Sequence, residues 1–206
     1  MPGSLQTTDS LAGRVPFYPF SLNFHSAPLT EEQFEELCRN NRDLKFEMTG
    51  EGELIIVAPT CPESGWKNTK LTTKAEIWSE KDETGVVFDS STMFTLPNGA
   101  KRSPDVSWMT KEKWEDISPV ERRKFAHVVP DFVIELRSPS DNLPELQSKM
   151  EEYIENGVRL GWLIDPSEKN VHIYRKNGQT EVLEDPEMVS GEDVLKGFEL
   201  KVREIW

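Results

Sequence analysis

Pro130-Asp-Phe-Val-Ile-Glu-Leu-Arg-Ser-Pro-Ser-Asp141 is the stretch on which the fold of this chain turns. Phe132, Val133, Ile134 and Leu136 give it the apolar, β-branched character of a buried strand, and Ser138-Pro139-Ser140 ends that strand. Glu135 and Arg137 lie inside the run. A charge buried without a partner costs several kcal/mol or more, so such groups are normally paired or bound to a metal. A polar site carried by a central strand is therefore the first hypothesis.

The elements around this strand follow from periodicity and punctuation. After it come a turn and a helix over about 143–156, with Leu146, Met150, Tyr153 and Ile154 at helical spacing and Asn156-Gly157 as its stop. Leu160–Ile164 reads as a further buried strand, and Val171–Tyr174 alternates as its hairpin partner. The C-terminal segment, with Val194, Phe198 and Leu200, packs strands or turns over the core. Upstream, Pro104–Trp108 reads as a short strand returning from one that starts at Val86 and runs to about Leu96, with Pro97-Asn-Gly99 as the turn. Residues 110–126 are charged, partly helical and read as a surface insertion between strands.

Nearer the start, Thr30-Glu-Glu-Gln33 has the form of a capping box that opens a helix ending near Asn41. Strands over 43–48 and 53–59 form a hairpin through Thr49-Gly-Glu-Gly52, and a helix follows over about 65–81. Residues 1–24 read as an N-terminal extension and 25–206 as a single domain. The order of elements gives a mixed central sheet flanked by helices, an α/β (α+β) fold, with an additional N-terminal helix and hairpin.

The charge is −13, from 24 basic and 37 acidic residues. That argues against a broad nonspecific nucleic-acid surface, which is usually basic, but leaves room for a narrow basic cleft. No stretch is long and apolar enough to span a membrane, and the opening residues do not resemble a secretory signal. Cys38 and Cys61 are too few for a disulfide framework and too far apart for a zinc motif, so a reduced, cytoplasmic setting is expected. His25, His127 and His172 form no ligand-spaced pair, and His172 is expected to face solvent. The tryptophans read as core or interface residues.

Glu135 and Arg137 are two apart on a strand, so both should project from one face, roughly 6–7 Å apart. If the strand holding Asp105 lies alongside, Asp105 and Glu135 converge as hard oxygen ligands, a normal arrangement for Mg2+ completed by waters and a phosphate. The competing reading makes Glu135 and Arg137 a structural pair and Asp105 the end of a turn.

Several motifs in combination carry a resemblance. Pro104-Asp105, Glu135-Leu-Arg137-Ser-Pro-Ser-Asp141, Leu146-Gln-Ser-Lys149 with Tyr153, Asn156-Gly-Val158 and Trp162-Leu-Ile-Asp-Pro166 resemble the bacterial restriction-endonuclease family within the PD-(D/E)XK nuclease-like superfamily. The similarity spans about residues 25–204. It implies a restriction-endonuclease-like fold and a divalent-metal phosphodiesterase site, with Mg2+ as the cofactor, Mn2+ as a substitute and DNA as the usual partner.

Residue by residue, Asp105 matches the aspartate of the PD motif and Glu135 the acidic residue of the second motif. Arg137 stands where the superfamily has lysine. Arginine keeps its proton and cannot readily act as a base, so this is a departure. Lys149 resembles a lysine of the family and supplies an amine from the next helix. Glu47 matches an acidic residue on the first hairpin and is a further candidate ligand. Gln147 and Asn68 are secondary polar candidates. The expected activity is metal-dependent endodeoxyribonuclease, with a homodimer suited to cutting two strands. The alternatives are a noncatalytic nucleic-acid or protein interaction module on the nuclease fold and a nucleotide phosphohydrolase.

Overall fold

The computed structural model describes residues 20–206. Most of the expected N-terminal extension, residues 1–19, lies outside the described residues. Phe20–Asn23 is a strand, β1, and pairs antiparallel with Glu53–Val57, β3.

Helix α1 (Glu31–Asn40) starts where the sequence places it. Thr30 Oγ1 accepts the N–H of Gln33, and the Gln33 side chain accepts the N–H of Thr30. These reciprocal bonds satisfy two helix-end donors, and Phe34 anchors the buried face. Strand β2 (Lys45–Met48) completes the expected hairpin with β3. Helix α2 (Pro62–Asp82) is preceded by Cys61 and has Pro62 in its first turn, where no intrahelical N–H partner is lost. It begins earlier than expected for that reason.

The single strand expected over 86–96 is two strands. Gly85–Asp89 is β4, and Phe94–Thr95 is β5 in a different sheet. Between them Asp89 folds the chain over. Its Oδ1 accepts from Ser91 N at 3.0 Å and Ser91 Oγ at 2.6 Å, a local turn that competes with strand continuation. The chain then runs through β6 (Lys101–Arg102), crosses at Ser103-Pro104-Asp105 and enters β7 (Val106–Thr110).

A short helix α3 (Lys111–Asp116) and a 3-10 turn (Glu121–Arg123) make up the expected insertion. Lys113 ties it down by donating to the buried Asp131 at 2.9 Å and to the Val129 carbonyl at 3.2 Å. After it come β8 (Phe132–Leu136), α4 (Leu143–Glu155), β9 (Leu160–Asp165) and β10 (Asn170–Arg175). The chain ends in β11 (Thr180–Glu184), β12 (Met188–Ser190) and β13 (Glu199–Lys201).

The expected mixed central sheet is present, and the N-terminal hairpin belongs to a second sheet. One runs β11-β10-β9-β8-β7-β4, with β8 and β9 parallel and its other pairs antiparallel. The other runs β1-β3-β2-β6-β5, and β12 pairs with β13 in a separate ribbon. The six-stranded sheet is covered on both faces. Phe132, Ile134, Trp162 and Ile164 pack towards Leu71 and Ala75 of α2 and the C-terminal Phe198 and Ile205. Val133 and Leu163 pack towards Met150 and Tyr153 of α4. Full burial of side chains this size stabilises by roughly 1.5–3 kcal/mol each, which makes β8 and β9 the spine of the domain. At Gly85 a Cβ would fall 2.3 Å or less from the Trp108 ring, so that close approach requires glycine.

One local expectation is corrected. His172 does not face solvent, since β10 lies inside the sheet and leaves it only 8% exposed. Trp66 is exposed on α2, with the Lys70 ammonium 3.9 Å from its ring centre.

Candidate active site

Alternation along β8 separates its residues cleanly. Phe132, Ile134 and Leu136 point into the α2-side core, which sends Glu135 to the α4 side. On the neighbouring antiparallel strand Val106 is the partner of Ile134. One step further along that register, Asp105 lies opposite Glu135. Asp105 Oδ2 accepts the N–H of Leu136 at 2.8 Å, and its Oδ1 accepts from Asn68 Nδ2 on α2, also at 2.8 Å. Pro104 has no N–H to give to a ladder, which suits the point where the chain leaves one sheet for the other.

Helix α4 brings the cation. Lys149 Nζ lies 2.8 Å from Glu135 Oε1 and 3.1 Å from Glu47 Oε1. Tyr153, four residues on and so on the same helical face, donates its hydroxyl to Glu135 Oε1 at 3.0 Å. Glu47 comes from β2 of the other sheet. Its oxygens also accept from Ser103 N and from Arg102 Nη1, each at 3.2 Å. The site therefore sits where the two sheets meet, closed by α2 on one side and α4 on the other.

The electrostatics divide the carboxylates into two kinds. Burial raises Glu135 to about 7; Asp105 and Glu47 add to the rise, and Lys149 opposes it. Burial likewise raises Asp105, against the Leu136 N–H and Lys149. Burial acts on Glu47 too, but Lys149 and Arg102 outweigh it and hold this carboxyl below its usual range. Lys149 is buried, yet Glu135 and Glu47 push it above its ordinary value, so it is a fixed ammonium rather than a base. Tyr153 is raised by burial and by Glu135, and stays a proton donor.

This donor set fits a hard divalent cation. Asp105 and Glu135 are buried hard-oxygen donors whose negative charge is costly, and an adjacent cation would relieve that cost. Among the described residues no three His, Cys, Asp or Glu side chains are grouped as an ion cage. A site for Mg2+ with two carboxylates needs none, because water and phosphate fill its remaining positions. Glu47 is engaged by three donors, against two each for Asp105 and Glu135.

Residues 31–203 match the model of the Uma2 family, whose description reads "Putative restriction endonuclease". The chain belongs to the Uma2 family. A crystal structure titled as a putative nuclease belonging to DUF820, from Anabaena variabilis, is similar with a TM-score of 0.74. The two share 20% sequence identity over 86% of this chain and 97% of the other, a likeness that shows the fold. No curated protein matches the sequence.

Of the residues singled out in this Uma2 chain, the structure gathers Asp105, Glu135, Lys149, Glu47 and Asn68. It does not bring Arg137 to Glu135. Arg137 Nη1 donates instead to the fully buried Asp165 at the end of β9, at 2.6 Å. The strand ends at Leu136, so alternation no longer holds Arg137 on the face of Glu135. Gln147 lies two residues before Lys149 on α4, on a different helical face, and its side chain makes no hydrogen bond among the described residues. Tyr153 and Arg102 are the site residues that sequence reasoning missed. Tyr153 reads as core from its spacing, and only its i+4 relation to Lys149 signals more. Arg102 gives no signal, because its partners lie about 50 residues away on either side.

Proposed function

We propose that this Uma2 protein is a divalent-metal-dependent endodeoxyribonuclease. The observation that carries the reading is the convergence of Asp105, Glu135 and a permanently charged Lys149 at one sheet junction in a chain of this family. Asp105 and Glu135 would hold Mg2+ or Mn2+. When bound, such an ion polarises a phosphodiester and lowers the pKa of water at the site.

The chain's own groups supply the rest. The N–H of Leu136 and the amide of Asn68 fix Asp105 in place. Tyr153 and Lys149 converge on one oxygen of Glu135, leaving the other oxygen for a ligand. Lys149, kept protonated, offers hydrogen bonds and charge to an oxyanion developing on the phosphate. Arg137, committed to Asp165, supports the base of the site rather than the reaction. In this reading the lysine of the superfamily motif is replaced in space by Lys149 from α4. A twofold dimer would deliver the two cuts a duplex requires, and sedimentation at several concentrations tests that part separately.

Cleavage and nicking of supercoiled, linear and single-stranded DNA, with Mg2+ and with Mn2+, tests the proposal. Metal-dependent cleavage that is lost in Asp105→Ala supports it. The net charge of −13 favours a second reading, a noncatalytic module that keeps the nuclease fold. That reading expects neither cleavage nor divalent-metal binding by calorimetry. No helix among the described residues is long and apolar enough to cross a membrane.

A further inference from the structure

One acidic side chain on α4 has no place in the chemistry above yet is more heavily bonded than any ligand candidate. Glu152 lies one turn from Lys149 and is met only by donors. Its Oε1 accepts from Gly50 N and from Asn98 Nδ2, each at 3.0 Å. Its Oε2 accepts from Nε of Arg102 and lies against Nη2 of the same guanidinium, each at 2.6 Å. Gly50 belongs to the β2–β3 turn and Asn98 to the β5–β6 turn. A Cβ at Gly50 would fall 2.3 Å from Asn98 Nδ2, so a larger residue there would have to displace this amide from Glu152.

Arg102 is itself buried and gives its remaining Nη1 to Glu47. Glu47 then holds Lys149. Glu152, Arg102, Glu47 and Lys149 thus form a line of alternating charge from the helix surface to the carboxylate pair. Uncharged contacts tie the same turn to the end of α4 without touching the Glu152 carboxylate: Asn98 N donates to Asn156 Oδ1 at 2.9 Å, and Asn156 Nδ2 donates to the Glu152 carbonyl at 2.8 Å.

We infer that Glu152 is a positioning residue that, through Arg102 and Glu47, fixes the Lys149 ammonium at the Asp105–Glu135 pair. The inference rests on the reading that Lys149 serves the site. A glutamine at 152 has the same shape but places an amide NH2 against a donor whichever way it turns, so it cannot satisfy all four contacts. Arg102, freed from its fork, then turns towards Glu47, and Lys149 loses half of its cage.

Proton–nitrogen NMR of the lysine ammonium groups reads this without any need for cleavage. The wild-type protein is expected to give a slowly exchanging signal, assigned to Lys149 by its loss in Lys149→Met. Glu152→Gln should shift or broaden that signal. Asn156→Ala, which removes these uncharged contacts and leaves every donor to the Glu152 carboxylate in place, should lower the melting temperature and leave the signal where it was. If Glu152→Gln does not fold, Arg102→Lys gives the same readout, since it keeps a cation beside Glu47 but loses the fork.

An absent Lys149 signal in the wild type, an unmoved signal in a folded Glu152→Gln or Arg102→Lys, or an equal displacement in Asn156→Ala overturns the inference. In cleavage assays Glu152→Gln should lower kcat by about ten-fold or more with KM retained. An unchanged kcat counts against the inference. Displacement of Lys149 in a protein that cleaves nothing would sink the nuclease reading and leave the positioning role standing.

Discussion

Replacing Glu135 with glutamine should change how stability depends on pH, and the structure fixes both the sign and the scale. Glu135 is 4% exposed and titrates near 7 in the folded protein, against an ordinary 4.5. Its folded pKa is raised, so between these values the folded state holds more protons than the unfolded state. Stability contributed by this group is present below about pH 4.5 and is lost as pH rises through 7. The displacement corresponds to about 3 kcal/mol.

Glutamine keeps the shape and can still accept from Lys149 and Tyr153, but it does not titrate. Glu47 shifts in the opposite direction, so its contribution is lost only as pH falls below the ordinary carboxylate range, outside this window. Asp105 is raised in the same sense as Glu135 and remains in both proteins. Urea unfolding of the two proteins from pH 5 to pH 8 therefore isolates Glu135. The wild type should lose up to about 3 kcal/mol relative to Glu135→Gln across that interval. Parallel curves, with a constant offset, would refute the placement of Glu135 as a buried carboxylate short of compensating charge.

Three further outcomes follow from the same geometry. Calorimetric binding of Mn2+ should tighten from pH 6 to pH 8, because the ion must displace the proton that Glu135 holds near neutrality, and a flat profile would remove Glu135 from the ligands. Asp105→Asn should weaken that binding by at least about ten-fold, while circular dichroism shows the fold retained through the Leu136 N–H contact. Arg137→Met should act on stability, costing about 3–5 kcal/mol by leaving Asp165 buried without its cation. Loss of cleavage in a fully stable Arg137→Met would return this residue to the chemistry.

Much of the scaffold was legible because its signals are local. The capping box at Thr30, the apolar run of β8 and the spacing of α4 each follow from a few adjacent residues, and all three stand in the structure. The split between β4 and β5 was also written locally, in Asp89-Ser-Ser-Thr92, but the β-branched residues on either side masked it. Charge partners were much harder to read. Glu135 and Arg137 sit two residues apart, yet their cations and anions come from elsewhere: Lys149 for one, Asp165 for the other. Period-two spacing holds only while a strand lasts, and β8 stops one residue before Arg137. The pairing of Arg102 with Glu47 and Glu152 depends on how two sheets and a helix meet, which no window of sequence contains.

The central claim is that Asp105 and Glu135 form a working metal-dependent phosphodiesterase site served by Lys149. Its most direct test is nicking of supercoiled DNA by purified protein with Mn2+, run beside Asp105→Ala and Lys149→Met prepared identically. Nicking that requires the metal, is abolished in Asp105→Ala and falls by at least about a hundred-fold in Lys149→Met is the expected result. Equal residual nicking in all three proteins would contradict it.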